Sequence, residues 1–126
     1  MIINDKKKIK DIQTEFHKKF PYLKIQFYSK PHDTNQGSTV REQLPDEMTI
    51  GEVRTVHNEG DFAINEQMTV ADFERDFAKK FGLNAQVFRK SGDIWMQTTS
   101  TDNWTLAEQN RKGGSSEKAF IEKYGS

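Results

Sequence analysis

The chain has 126 residues, 33% of them hydrophobic, and its 19 basic side chains balance 19 acidic ones. That length suits one self-supporting domain, and a zero formal charge gives no general attraction to nucleic acid or to an anionic membrane. With no Cys, disulfides, thiolate zinc sites and a Cys nucleophile are excluded.

In chain order, Met1-Ile2-Ile3 precedes the first charges, the reverse of a signal peptide. No apolar run approaches the roughly 18–20 residues that span a bilayer. A cytoplasmic protein that does not engage a membrane is expected. Ile9, Ile12, Phe16 and Phe20 follow the spacing of one helical face, with Asn4 or Asp5 as cap and Pro21 as stop. Leu23-Lys24-Ile25-Gln26-Phe27-Tyr28 alternates as a half-buried strand. Residues 30–48, with Pro31, Gly37 and Pro45, read as a long surface loop. Thr49-Ile50-Gly51-Glu52 is a capping box opening a short helical turn. His57 to Gly60 reads as a turn and Phe62-Ala63-Ile64 as a short strand.

Thr69 then caps a helix whose apolar face is Val70, Phe73, Phe77 and Phe81, and Gly82 suits its left-handed C-terminus. Leu83 to Phe88 alternates again, Ser91-Gly92-Asp93 is a hairpin turn, and Ile94 to Thr99 is the returning strand. Thr105-Leu106-Ala107-Glu108 is a further capping box. Gly113-Gly114-Ser115-Ser116 reads as a linker to a short amphipathic tail with Ala119, Phe120 and Tyr124.

The two helix–strand units match each other. Ile9, Ile12, Phe16 and Phe20 correspond to Val70, Phe73, Phe77 and Phe81, and Lys18-Lys19 to Lys79-Lys80. Leu23, Gln26 and Lys30 correspond to Leu83, Gln86 and Lys90. The expectation is an α+β two-layer sandwich from a duplicated helix–strand unit. Two amphipathic helices lie on one face of a mostly antiparallel or mixed sheet, over a core that includes Ile94 and Met96. Residues 1–112 form the domain, with repeats of about 1–60 and 61–112, and residues 113–126 are linker and tail.

Phe81-Gly82-Leu83, Gln86-Val87-Phe88-Arg89-Lys90-Ser91-Gly92, Trp95 and Asp102-Asn103-Trp104-Thr105-Leu106 resemble a group of small uncharacterised bacterial proteins. That resemblance implies a fold and no activity. Thr69 to Gly114 is also similar in topology to the second half of ubiquitin-like, β-grasp domains. These have a capped helix, Gly, two strands and a short turn opened by Thr-Leu.

No catalytic constellation stands out. His17, His32 and His57 are scattered, no Ser occupies a nucleophile elbow, and the Gly113-Gly114 run follows no strand. No cofactor, no metal and no enzymatic activity are expected. Strand parity sends Lys24, Gln26, Tyr28, Gln86, Phe88, Lys90, Trp95 and Gln97 to the face opposite the helices. Aromatic rings among amides and cations suit recognition. The function expected is a protein-interaction module on this open face, including self-association. The alternative is single-stranded nucleic acid stacked on Tyr28, Phe88 and Trp95, with Lys24, Arg89 and Lys90 on phosphates. An enzyme with a site assembled from the 30–48 loop, with His32 and Asp33, is the remote third.

Overall fold

The computed structural model describes residues 1–30 and 42–125. His32, Asp33 and most of the expected 30–48 loop therefore lie outside the described residues. The elements run β1 (Ile2–Ile3), α1 (Ile9–Lys19), β2 (Leu23–Tyr28), α2 (Ile50–Val53), β3 (Gly60–Asp61), α3 (Val70–Phe81), β4 (Asn84–Ser91), β5 (Ile94–Gln97) and α4 (Leu106–Tyr124). The architecture is α+β in two layers. β2, β4 and β5 form an antiparallel sheet in the order β2-β4-β5, and β1 pairs with β3. Among the described residues, no helix is long and apolar enough to cross a membrane.

Three helices begin where the sequence provides a Thr cap. Thr49, Thr69 and Thr105 each accept the backbone N–H three residues on. α1 departs from expectation: Lys8 is its N-cap, with its N–H donated to the Asp11 carboxylate, and Asn4 instead accepts from Lys6 and Lys7 in the turn before it. The starts are then joined in pairs. Ile9 and Lys10 donate to the carbonyls of Met48 and Asp46, while Ile50 and Gly51 donate back to Lys7 and Asp5. The same four bonds recur between α3 and α4. Val70 and Ala71 donate to Trp104 and Asp102, and Leu106 and Ala107 donate to Met68 and Glu66. Amides that a lone helix start leaves unpaired are satisfied here by a neighbouring loop.

The duplication also relates the repeats to each other. Gln26 and Gln86, equivalent residues, are direct partners in the β2–β4 register. Met1 and Phe62 are likewise equivalent. Phe62 N–H donates to Met1 O at 2.7 Å and the N-terminal ammonium donates to Phe62 O at 3.4 Å. A pseudo-two-fold axis passes through both pairs. The core lies between α1, α3 and the sheet. Phe16 meets Phe73 at 5.2 Å, and Phe77 meets Phe27 at 5.6 Å and Phe62 at 4.7 Å, ring centre to ring centre.

Four expectations are corrected. Residues 113–126 are not linker and tail, because α4 runs unbroken from Leu106 to Tyr124. Its glycines are needed for close approach. A Cβ on Gly113 would lie 2.9 Å from Tyr22 Cβ and 3.0 Å from Tyr22 O, and one on Gly114 would lie 2.9 Å from the Tyr22 ring. The strand expected at Phe62 to Ile64 is displaced to Gly60–Asp61. The returning strand stops at Gln97, two residues short of the expected Thr99; Thr98 still reaches Val87 O with both its N–H and its hydroxyl. Finally, Ile94 and Met96 are exposed, at 60% and 37%. Parity puts them on the helix side, but α1 and α3 pack over β2 and β4 and leave β5 uncovered.

Two stability measurements follow from this packing. Phe77, fully buried among Phe27, Phe62, Phe73 and Phe81, should cost about 3–5 kcal/mol in urea unfolding when changed to Ala. Gly113→Ala should lose about 1–3 kcal/mol by overpacking against Tyr22. That is the reverse of the gain of about 1 kcal/mol from the same change in an uncrowded helix, so a stabilised variant would contradict the close approach.

Candidate binding surface on the sheet

The registers assemble one face residue by residue. Lys24 pairs with Phe88 and Phe88 with Gln97; Lys90 pairs with Trp95; Gln26 pairs with Gln86; Tyr28 pairs with Asn84. Paired residues share a face, so all eight expected residues stand opposite the helices. That face is not uniformly open. Tyr28 is 2% exposed and Gln86 1%, which corrects their expected place as surface contacts. Parity decides which face a side chain takes, and coverage of that face is a separate matter. The Tyr28 hydroxyl and Gln86 Oε1 lack hydrogen-bond partners among the described residues, and burial pushes the Tyr28 phenol up from its ordinary range.

The other end of the face remains accessible. Lys24, Phe88, Lys90, Trp95 and Gln97 are half-buried. The Lys24 ammonium sits 5.7 Å from the Phe88 ring centre and 5.1 Å from that of Trp95. Lys90 lies 5.1 Å from the same indole, so Trp95 contacts two cations. Their charges are treated differently. Lys90 is within 3.7 Å of Glu117 on α4. The Lys24 ammonium has neither an ion pair nor a hydrogen bond among the described residues. Burial, and then the charge of Lys90, pull its pKa below the usual lysine range.

Sequence reading missed the contribution of α1. Gln13 Nε2 donates to Ile25 O at 3.1 Å and to Gln26 Oε1 at 2.9 Å. His17 Nδ1 lies 2.8 Å from Leu23 O, and its ring meets Trp95 edge to face at 5.9 Å. Between α1 and β2 runs a groove of about 550 Å³, lined by Lys10, His17, Lys18, Lys24, Gln26 and Trp95, with Asp46 as the one acid among the described residues. The signal was present in the spacing: Lys10, Gln13, Thr14, His17 and Lys18 form a second helical stripe beside the apolar one. Glu117 was missed because it was read as part of a tail.

A second polar cluster ties the repeats together. The buried Arg54 guanidinium holds Asp5 Oδ1 at 2.7 and 3.0 Å and Phe81 O at 3.1 Å, and His57 Nδ1 lies 2.7 Å from Asp5 Oδ2. Among the described residues, no group of three His, Cys, Asp or Glu gathers around a common point.

No family model, curated protein or solved structure matches this chain.

The Arg54 and His57 hydrogen bonds hold the Asp5 carboxyl below the ordinary carboxylate range, outweighing the opposing effect of burial. A carboxylate depressed in the folded state stabilises above its unfolded pKa and ceases to do so as pH falls through its folded value. Thermal melts should therefore show a loss of stability below about pH 4. Asp5→Asn should flatten that part of the profile; an unchanged acid limb would remove Asp5 from the account.

Proposed function

We propose that this chain is a non-catalytic interaction module that binds an acidic segment of a partner protein in the groove between α1 and the accessible end of the sheet. The observation that carries this reading is Lys24. Its ammonium is partly desolvated, repelled by Lys90 and without an anionic partner among the described residues. A half-buried charge in that state gains by meeting a carboxylate. Lys18 lines the same groove and adds to its positive sign, while Lys10 beside it is held by Glu47 at 3.1 Å. Trp95 and Phe88 supply apolar area at small entropic cost, as recognition anchors do. Such a module belongs in the cytoplasm, consistent with a chain that needs no disulfide.

Stacking of single-stranded nucleic acid is favoured less. It needs open ring faces, yet Tyr28 is buried and the Phe88 and Trp95 rings are approached by Lys24 and Lys90. A zero net charge adds no long-range attraction to phosphates.

Titration calorimetry with an oligo-glutamate peptide and with an oligo-thymidylate separates the two. The peptide should bind, and Lys24→Gln should weaken it by about 1.5–3 kcal/mol, the worth of a hydrogen bond to a charged group. The same variant should melt no lower than the parent, because it removes a desolvated, repelled charge. Tight binding of the oligonucleotide with no binding of the peptide would replace this reading with the nucleic-acid one.

A further inference from the structure

On the premise that an acidic segment binds in the groove, we infer that His17 makes that binding pH-dependent, tightening it as the imidazole takes up a proton. The ring is held in place by the match between helix and strand. Gln13 and His17 stand one turn apart on α1, about 6 Å along its axis. Their acceptors, the Ile25 and Leu23 carbonyls, stand two residues apart on β2, about 6.6 Å along the strand. Both side chains therefore reach the edge of β2 together.

That hydrogen bond also decides which ring nitrogen titrates. His17 Nδ1 lies 2.8 Å from Leu23 O, and a carbonyl oxygen only accepts, so Nδ1 carries a hydrogen in either charge state. The proton that comes and goes belongs to Nε2, which has no hydrogen-bond partner among the described residues. His17 is exposed and lines the groove, so solvent and a bound segment both reach it. Its ring meets the Trp95 indole at 5.9 Å, and the Lys24 ammonium lies 5.1 Å from the centre of the same indole. An acidic side chain seated against Trp95 is then a neighbour of both groups.

The charges around His17 make one more proton count. On its own helix stand Lys10, which Glu47 holds at 3.1 Å, and Lys18; β2 supplies Lys24, and the loop before α2 supplies Asp46. Across Trp95 stands Lys90 on β4, which Glu117 on α4 meets at 3.7 Å. Once these pairs are set aside, Lys18 and Lys24 face Asp46 in the groove. With His17 neutral the groove has an excess of one positive charge; with His17 protonated the excess is two. Histidine is the side chain whose ordinary titration range crosses neutral pH, whereas a Glu-rich segment stays ionised well below it. Proton and segment therefore favour each other's binding, and the coupling is reciprocal.

Titration calorimetry of the full chain with the oligo-glutamate peptide at pH 8 and pH 6 tests this. Affinity should rise about threefold at the lower pH, the scale of one partly exposed ion pair. Near pH 6.5 the binding heat should vary with the ionisation enthalpy of the buffer, because binding draws in about a quarter of a proton. His17→Gln keeps a donor for Leu23 O and carries no charge. It should bind as the parent does at pH 8 and lose both effects. His57→Gln should retain them, because His57 sits on Asp5 and does not line the groove. Affinity no higher at pH 6 than at pH 8, or a pH dependence that survives in His17→Gln, overturns the role of His17 while the peptide-binding function stands. No binding of the peptide at either pH overturns both.

Discussion

The structure depends on the way its helix starts are paired. A helix leaves its first amides without intrahelical acceptors, and burying them unpaired is costly. Here the loop before α2 supplies acceptors for α1 and the loop before α1 supplies them for α2, with the same exchange between α3 and α4. Each exchange joins segments some forty residues apart in the chain. The same symmetry appears in the partnering of Gln26 with Gln86 on the pseudo-two-fold axis.

Equivalent positions in the two repeats keep their structural task while changing their chemistry. Gln13 on α1 and Glu74 on α3 correspond; Gln13 donates to a strand carbonyl, and Glu74 accepts Val87 N–H at 2.8 Å. Arg54 and Asn110 correspond as well. Arg54 donates to the carbonyl ending α3 at Phe81, and Asn110 accepts Tyr22 N–H just beyond α1. The backbone group presented differs, and the side chain follows it.

The distinctive surface arises where the symmetry fails. α2 stops at Val53, whereas its counterpart α4 continues to Tyr124. The extension brings Ser116 onto Gly92 N–H and Glu117 toward Lys90. Lys90 thereby gains an acidic neighbour, whereas the Lys24 ammonium beside Trp95 has none among the described residues. Apart from this, α1 and α3 pack over β2 and β4, and Ile94 and Met96 on β5 are exposed.

Much of this was legible in the sequence by itself. The 3-4-4 spacing of Ile9, Ile12, Phe16 and Phe20 and of its copy determined two helices and their buried faces, because helical periodicity leaves one stripe for the core. Alternation in Leu23 to Tyr28 and in Leu83 to Phe88 determined which side chains share a face, because a strand allows only two. The Thr caps marked three helix starts. The tertiary structure alone decided the rest. Gly113-Gly114 lies in a helix because Tyr22, ninety residues away, needs the room. Tyr28 and Gln86 are buried while Trp95 and Phe88 are not, because coverage depends on which distant segments reach a face. His17, Gln13 and Glu117 join the surface through contacts between elements, and the spacing of residues along one element carries no record of what another brings beside it.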